Sequence, residues 1–457
     1  MKAKLVPVHF GGRPDEEFNR ELAALKVLLA AEAEFLPAIP LAAAAGAAAD
    51  AVIFPQMIGD AYRHPEEFRK ILLPILVITS EFGTVSMWDW EINSYLRREG
   101  VRILAPYNLR QARVLCRALA VKADLRHARF IVYQDNPGEG FQAHIFKRFY
   151  WWEQECSTRM FEKFGITIEK RSFRELGAAA KSIDDAAAEK VWNAWKTRLS
   201  IGPMPHRSLL AALKIYIKVK SEIEEAESGK GGTIRGVGIN CLNESQFSDT
   251  TPCLAWNMLY EERKLIWGCE ADTVSMLTEY LLHASLGVPV MMTNMYPYLM
   301  GDAALKHERI PYFPAVESEP ENHILAAHCG YLGVMPRSFA TEWSLKPKVL
   351  AIVDENATAI DARMAEGPMT LAKIESGFDS ISVVEGELAR YAQFEDSDCL
   401  NGAVLRVKDG RVLLNRLASH HYILTAGHNA EEINLLATVF GLEVTRNEPP
   451  RAMAPGK

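Results

Sequence analysis

Two acidic residues, Glu270 and Asp272, follow the apolar segment KLIWGC and precede a helix-like run that begins at Thr273. In open α/β sheets, ligands bind beyond the carboxyl ends of the strands, where loops and helix N-termini meet. Glu270 is therefore a candidate metal ligand or acid–base group. The alternative is that both carboxylates only favour the N-terminus of the helix, an effect of about 0.3–1 kcal/mol each. Both interpretations stay open at this point.

The segment VPVMMTN predicts the next strand, and Asn294 ends it. The separation between Glu270 and Asn294 fits one strand–helix–strand unit. We therefore expect the two side chains to point into the same crevice.

Histidines are the second group of candidate ligands. The segment ASHHYILTAGHN holds three of the chain's twelve histidines, namely His420, His421 and His428. Alternation along a strand predicts that His420 and His421 lie on opposite faces, so that at most one faces a given site. The HCG segment adds His328, whereas Cys329 is expected to pack as a small buried hydrophobe.

A glutamate, an amide oxygen and an imidazole would form a mixed oxygen and nitrogen site. Such ligands suit manganese, magnesium or cobalt better than a metal that prefers thiolates. Other catalytic patterns are missing from the sequence: QDNPGEG and SGKGGT lack the spacing of nucleotide-binding loops, and neither GxSxG nor HExxH occurs. The residues by themselves favour an α/β enzyme that handles a sugar or another metabolite, with metal dependence left open.

Composition excludes several other classes of protein. The 457 residues predict two or three domains. With 51 basic and 58 acidic residues, the net charge of −7 favours neither nucleic acid nor a membrane surface as a partner. The N-terminus has no apolar core of signal-peptide length, and the seven cysteines form no CxxC motif. We therefore expect no disulfide framework, and we expect a cytoplasmic location.

Hydrophobic patterning predicts three domains. Strand-like and helix-like segments alternate through 1–125 and again through 126–300, which indicates parallel sheets covered by helices. The second of these domains carries Glu270. From 301 to 457, and most clearly after about residue 340, close-set strands predict an antiparallel, barrel-like domain that carries His421 and is closed by the helix NAEEINLLATVFG. Within it, KDG between two apolar runs predicts a hairpin.

Several stretches together resemble the L-fucose/L-arabinose isomerase superfamily, and most closely its fucose-isomerase-like branch. They cover most of residues 80–445. The first 80 residues match only in their general pattern of strand-like and helix-like segments. The similar stretches are APYNLRQARVLCRALAVKADL, GVGINCLNESQFSDTTPCLAWNMLYEERKLIWGCEADTVSMLTEYLL, HCGYLGVMPRSF, GPMTLAKIESGFDSISVVEGEL and HHYILTAGHNAEEINLLATVFGLEV.

The resemblance implies two Rossmann-like parallel-sheet domains followed by a β-rich domain. Members of the family interconvert aldoses and ketoses with a divalent cation, commonly manganese, and assemble as trimers or hexamers. Their metal is held by a glutamate, an aspartate and a histidine, which match Glu270, Asn294 and His421 here. In the family the two carboxylates are also thought to act as acid and base, so the resemblance assigns catalysis to Glu270 and Asn294.

Asn294 departs from the family pattern. A neutral amide offers an oxygen to a metal but accepts a proton poorly at pH 7. Three explanations are open: the match is out of register, another group such as Glu317, Glu319 or His328 acts as the base, or the chemistry has diverged.

The remaining substrate-binding candidates are Glu81, Trp88, His328, His420 and His428. Glu81 and Trp88 lie in TSEFGTVSMWDWEIN, which resembles a family segment that approaches the active site of a neighbouring subunit; packing of Trp88 in the core is an equal alternative. The sequence thus predicts a cytoplasmic, homo-oligomeric, divalent-metal-dependent isomerase of a pentose or deoxyhexose that works through an enediol. The alternatives are a non-catalytic sugar-binding protein and a diverged metal-assisted enzyme acting on a sugar or sugar acid.

Overall fold

The computed structural model describes residues 1–55, 61–80, 87–136, 153–229, 231–241, 244–297, 319–328, 334–347, 356–393 and 402–446, with the side chains of 87–89, 297, 411 and 414 left outside the description. The chain forms two compact units. The first consists of Met1–Arg126, Ala284–Leu286 and Glu431–Gly441, and the second of His127–His283, Gly287–Ala430 and Leu442–Lys457.

The first unit is built on a parallel sheet with the strand order β2-β1-β4-β5-β6, and β3 also pairs with β1. Every residue of β4 and of β5 is buried, so both faces of the sheet are covered. Strands covered on both faces are continuous apolar runs, which is why AVIF and ILV lack a polar side. The strands are β1 (Ala3–His9), β2 (Ala33–Phe35), β3 (Ile39–Pro40), β4 (Ala51–Phe54), β5 (Ile75–Val77) and β6 (Ile103–Leu104).

The helices of this unit begin at residues that the sequence marks as caps. The side chains of Asp15 and Asn108 accept the backbone N–H groups of Phe18 and Gln111 at the starts of the first and fourth helices. These helices are α1 (Glu16–Leu28), α2 (Pro65–Lys70), α3 (Met87–Arg98) and α4 (Leu109–Leu125).

The last of the described helices, α12 (Ala430–Phe440), also contributes to the first unit. Lys122 of α4 donates to the carbonyl of Val439 over 2.7 Å. The sequence predicts that this helix closes the β-rich domain, and this prediction is wrong. An amphipathic helix shows which face it buries but not which neighbour covers that face.

The second unit contains a parallel sheet with the strand order β10-β9-β7-β8. Strand β8 lies on one side of β7, and the chain then returns to place β9 on the other side. The topological switch point, where ligands bind in such sheets, therefore lies between β7 and β9. The strands are β7 (Ala128–Tyr133), β8 (Thr167–Arg171), β9 (Thr233–Ile239) and β10 (Ile266–Cys269).

Helices connect these strands and flank the sheet. The helices of the second unit are α5 (Gln154–Phe164), α6 (Phe173–Lys181), α7 (Asp185–Trp195), α8 (His206–Ser228), α9 (Cys253–Arg263), α10 (Thr273–Leu286) and α11 (Gly410–Leu414). The last three residues of α10 are counted with the first unit. Helix α10 packs closely on β10, because a Cβ atom on Gly268 would lie 2.5 Å from the sulfur of Met276.

Six further strands of the second unit close into an antiparallel barrel in the order β15-β18-β11-β12-β17-β16, with β16 pairing back to β15. Strand β19 adds to β16 in the parallel direction. The strands are β11 (Val290–Pro297), β12 (His323–Ala327), β15 (Gly367–Ile374), β16 (Ser380–Ala392), β17 (Gly402–Val407), β18 (His421–Ala426) and β19 (Glu443–Arg446). A bulge between Leu388 and Arg390 interrupts the register of the long β16, as expected where a strand must bend.

Two predictions about strands are wrong. Strand β11 does not continue the parallel sheet after β10, because it pairs in the antiparallel direction with β12 and β18. The KDG segment does not turn a hairpin: Asp409 adopts the left-handed conformation and the helix α11 starts at Gly410.

A separate ribbon is formed by β13 (Glu342–Pro347) and β14 (Thr358–Arg363).

The predicted fold class is confirmed. Two parallel α/β sheets with Rossmann-like alternation precede an antiparallel barrel. The second parallel sheet and the barrel belong to one compact unit.

Candidate functional site

Glu270 lies directly after β10, in the turn that leads into α10, and only 3% of its surface is exposed. Glu270 and Ala271 have φ angles of 55° and 58°, in the left-handed region. For a residue with a Cβ atom, this conformation costs about 1–2 kcal/mol of conformational free energy. The backbone hydrogen bonds from Ala271 to Gly268 and from Asp272 to Cys269 hold the turn. This strained turn is compatible with a functional role for Glu270.

Asp272 acts as the helix cap and also as a partner for a distant histidine. Its Oδ1 accepts the backbone N–H of Ser275 at 2.9 Å, which makes it the N-cap of α10. Its Oδ2 lies 2.9 Å from Nδ1 of His421 and 3.0 Å from Nζ of Lys373, which reach it from β18 and β15 of the barrel. All three side chains are buried. The capping interpretation is therefore confirmed for Asp272, which has this second role as well.

The charges of this cluster follow from its contacts. Burial by itself raises the pKa of Asp272, but the ammonium group of Lys373 and the hydrogen bond from His421 outweigh it and bring the pKa well below its ordinary range. Burial lowers the pKa of His421 to about 4, against the opposing effect of Asp272. At pH 7 Asp272 is thus an anion and His421 a neutral imidazole.

These charge states determine the tautomer of His421. An ionised carboxylate only accepts hydrogen bonds, so the proton of the imidazole lies on Nδ1. The lone pair then lies on Nε2, which is 3.9 Å from Oε1 of Glu270. In metal sites, a histidine that binds the ion through one ring nitrogen commonly donates its other ring N–H to a carboxylate in this way.

His420 joins the same group. Side-chain donor atoms of Glu270, His420 and His421 all lie within 4.8 Å of one another, and the two imidazole rings are 4.0 Å apart. The expectation that at most one of these histidines faces the site is wrong. Strand β18 begins at His421, so His420 lies outside the strand, where alternation does not apply. Burial and the neighbouring His421 lower the pKa of His420 well below its usual range.

His328 reaches the site from the end of β12. Its ring stacks on that of His421 with centroids 5.4 Å apart. Donor atoms of Cys269, Glu270 and His328 form a second group within 4.8 Å. Glu270 is common to both groups and is the centre of the candidate site.

Asn294 lies next to His421 on the adjacent strand, directly opposite it in the β11–β18 ladder. Opposite residues of an antiparallel pair project their side chains on the same face. Its Nδ2 lies 3.2 Å from the hydroxyl of Tyr296. Its Oδ1 is buried and accepts no hydrogen bond in the portion of the chain that the structure describes. Asn294 thus lies opposite His421 in the barrel. A strand–helix–strand succession does run from Glu270 to Asn294, but β11 does not join β10 in the parallel sheet as that expectation assumed.

The donor set fits a divalent cation. Glu270 offers a carboxylate, His421 and His420 offer neutral imidazoles, and Asn294 offers an amide oxygen. Oxygen and nitrogen donors of this kind suit manganese, cobalt or magnesium, whereas participation of Cys269 would shift the preference toward zinc.

Other predicted residues lie elsewhere or outside the description. His428 is exposed beyond β18, where its Nε2 lies 3.1 Å from the carbonyl of Gly386, and it belongs to neither group. Glu319 is an exposed residue ahead of β12. Glu81, Glu317 and Cys329 lie outside the described residues, as does the side chain of Trp88, whose backbone belongs to α3.

Two polar residues that the sequence did not suggest lie at the same edge of the parallel sheet. Gln134 follows β7 and Asn240 follows β9, with 7% and 0% of their surfaces exposed. Among the described residues, Oε1 of Gln134 and both polar atoms of the Asn240 side chain have no hydrogen-bond partner. They flank the topological switch point. Their signal in the sequence was the one that identified Glu270, a polar residue directly after an apolar strand.

No protein-family model and no curated protein matches the chain. In the parts of the chain that the structure describes, none of the helices combines the length and the apolar character needed to cross a membrane.

Proposed function

We propose that this protein is a divalent-metal-dependent aldose–ketose isomerase that acts on a pentose or deoxyhexose. The observation that carries the proposal is the Asp272–His421 hydrogen bond, which leaves the lone pair of His421 Nε2 on the side of Glu270. A buried carboxylate and a buried neutral imidazole side by side are a ligand pair for a hard or borderline cation. The resemblance to the fucose-isomerase-like branch supports the choice of reaction.

Glu270 and His421 would hold the cation, with Asn294 and His420 as further donors. Manganese is the preferred ion, and magnesium or cobalt would also suit these atoms. When bound, the cation would polarise the two substrate oxygens between which the reaction takes place.

The proton transfer is assigned to Glu270. Aldose–ketose interconversion through an enediol removes a proton from C2 and returns one to C1, or the reverse. The carboxylate of Glu270 would accept that proton and deliver it to the neighbouring carbon. Neutral amides are poor bases, so Asn294 would be a ligand or a substrate contact and not the base.

The proposal also includes the remaining expectations from the sequence, namely a cytoplasmic location and a trimeric or hexameric assembly of identical chains. The molar mass in solution, measured by light scattering during size-exclusion chromatography, tests the assembly. A monomer would contradict it.

One observation favours a second function. Asn294 supplies an amide where the isomerase family that the sequence resembles has a carboxylate, which removes a negative charge and a base from the site. A sugar-binding protein without turnover would keep the fold and the buried polar edge of the parallel sheet while tolerating this change.

The experiment measures metal content first and proton transfer second. The purified chain is analysed for bound metals by mass spectrometry, next to Glu270→Gln and His421→Gln. It is then incubated with Mn²⁺ and a panel of aldopentoses and deoxyhexoses in deuterated water, and solvent deuterium at C1 or C2 is followed by NMR. Glu225→Gln, on an exposed part of α8, is the matched control for the loss of a carboxylate.

An isomerase that works through an enediol requires deuterium incorporation and ketose formation in the wild type and in Glu225→Gln, and loss of both in Glu270→Gln. A chain that binds Mn²⁺ and a sugar but shows neither deuterium exchange nor ketose formation would be the sugar-binding protein. Failure of the wild type to bind any of the three cations would overturn the metal-dependent proposal.

A further inference from the structure

Two cysteines lie side by side at the edge of the parallel sheet next to the candidate site. The sulfur of Cys241, just after β9, is 3.6 Å from the sulfur of Cys269, the last residue of β10. Neither is part of a disulfide; Cys269 is buried and Cys241 is partly exposed. The described parts of the chain hold three further cysteines that are outside any disulfide, and all three are buried: Cys116, Cys156 and Cys253.

The pairing of β9 and β10 explains why the two sulfurs meet. These parallel strands are in register, with Cys269 opposite Ile239. Cys241 lies two residues beyond Ile239, and its N–H donates to the carbonyl of that residue. The backbone turns at this point and brings the side chain of Cys241 over the end of β10.

We propose that Cys241 and Cys269 form a redox-sensitive pair that a two-electron oxidant converts to an intramolecular disulfide. The sulfurs must approach from 3.6 Å to about 2.05 Å. Cys241 is the initial site of attack, because it is the partly exposed member of the pair and Cys269 is the buried one.

With a peroxide as the oxidant, the chemistry takes two steps. The sulfur of Cys241 attacks one peroxide oxygen and the O–O bond breaks; the thiol proton and the leaving hydroxide form water, and Cys241 becomes a sulfenic acid. The sulfur of Cys269 then attacks the sulfenic sulfur, the S–O bond breaks, and the hydroxide leaves with the proton of Cys269 as a second water. Two thiols are oxidised and one peroxide is reduced to two waters.

The disulfide would act on the site through one peptide bond. Cys269 is bonded to Glu270, whose left-handed turn depends on hydrogen bonds to Gly268 and Cys269. Movement of Cys269 toward Cys241 would displace the carboxylate of Glu270 from the histidines. Disulfide formation is independent of the proposed function, whereas its effect on cation binding rests on that proposal.

The test treats the full chain with a small excess of hydrogen peroxide under native conditions and then blocks the remaining thiols with an alkylating reagent. Mass spectrometry of the intact chain and of its peptides identifies the cross-link. Cys241→Ser is the main variant because its side chain is partly exposed. Cys269→Ala tests the other partner, and Cys116→Ala is the control for a buried thiol in the first unit.

We expect the wild type and Cys116→Ala to lose two hydrogens and to yield a Cys241–Cys269 peptide that dithiothreitol reverses. Neither Cys241→Ser nor Cys269→Ala should yield it. Stable sulfenic or sulfinic acid on Cys241, or both thiols remaining alkylatable, would overturn the proposal.

A Mn²⁺ titration of reduced and oxidised protein separates this inference from the proposed function. Binding at least tenfold weaker after oxidation, unchanged in Cys241→Ser, supports the coupling to Glu270. A cross-link with equal Mn²⁺ binding in both states would refute the coupling. If the reduced protein binds no cation, the proposed function fails, and the cross-linked peptide still decides whether the cysteines are a redox pair.

Discussion

Asp272 Oδ2 lies 2.9 Å from His421 Nδ1, and both side chains are fully buried. One residue caps the helix that follows the parallel sheet, and the other begins a strand of the barrel. The hydrogen bond thus joins the two architectures of the second unit at the candidate site. It also determines which imidazole nitrogen is able to bind a cation.

Replacement of Asp272 should weaken cation binding through His421. In Asp272→Asn the amide no longer fixes the proton of His421 on Nδ1, so Nε2 carries the proton in part of the molecules. We therefore expect the Mn²⁺ affinity to fall about 10–100-fold. The variant also leaves the ammonium of Lys373 without its carboxylate, which costs about 3–5 kcal/mol of stability. Calorimetric Mn²⁺ titration and urea unfolding measure the two effects.

A double variant separates these effects. Asp272→Asn with Lys373→Met removes the unpaired cation while an N-cap remains, because asparagine caps helices as well as aspartate does. Stability should largely return, and the Mn²⁺ affinity should stay low. Full recovery of the affinity would show that Asp272 does not act through the tautomer of His421.

Asn294→Asp should strengthen cation binding and weaken the metal-free protein. The substitution puts a second carboxylate beside the site of Glu270, where like charges repel unless a cation neutralises them. We expect the thermal midpoint without metal to fall, and the stabilisation by saturating Mn²⁺ to exceed that of the wild type. Thermal scans with chelator and with Mn²⁺ test this. An unchanged response to Mn²⁺ would place Asn294 outside the ligand set.

Substitutions at the contact between β10 and α10 should have non-additive effects on the free energy of unfolding. A methyl group on Gly268 would lie 2.5 Å from the sulfur and 2.6 Å from Cγ of Met276, so Gly268→Ala should destabilise the protein by about 1–3 kcal/mol. Met276→Ala should cost about 2–5 kcal/mol through its cavity.

The double variant Gly268→Ala with Met276→Ala should cost less than the sum of the two, because the new methyl group occupies part of the space that methionine leaves. A double-mutant cycle in urea measures the difference. Simple additivity would mean that the helix shifts to relieve the contact.

The contacts of Glu222, which lies away from the candidate site, predict that the stability of the protein depends on pH. Its carboxylate accepts hydrogen bonds from the hydroxyl of Tyr133 at 2.8 Å and from Arg171 at 2.9 Å. Burial raises the pKa of Glu222, but these hydrogen bonds outweigh it and leave the pKa below its ordinary value of 4.5. The folded state therefore favours the ionised form, and the stabilisation is present above the unfolded pKa and lost as pH falls through the folded pKa.

Glu222→Gln should accordingly cost about 1.5–3 kcal/mol at pH 7 and progressively less below pH of about 4.5. Urea unfolding from pH 7 to pH 3 measures this, with Glu225→Gln on the same helix as the control for the loss of a carboxylate. A difference between wild type and Glu222→Gln that does not change with pH would contradict the assignment.

The sequence predicted the class of fold because it depends on local patterns. Continuous apolar strands such as AVIF alternate with amphipathic helices, and caps such as Asp15, Asn108 and Asp272 mark where helices begin. Each of these signals lies within a few residues of the element it determines. They were sufficient for two parallel sheets, a later antiparallel region and the position of Glu270 at a strand end.

Predictions failed where one segment had a choice of partners. Strand β11 has the apolar composition of a buried parallel strand, yet it pairs with β12 and β18 in the barrel. The KDG segment continues into a helix, and the backbone at Gly410 packs directly against that of Glu321, where a Cβ atom would clash. Neither pairing nor such a close approach can be read from a single segment.

The sequence by itself determined the kinds of element and which polar residues stand at their ends, since periodicity and capping act over one or two turns of chain. Only the tertiary structure decided that Asp272, Lys373 and His421 share one buried cluster and that His420 and His421 both reach Glu270. The segments that carry Asp272, Lys373 and His421 are far apart along the chain. Their meeting depends on barrel closure and on the packing of α10, which are set by the burial of many side chains together.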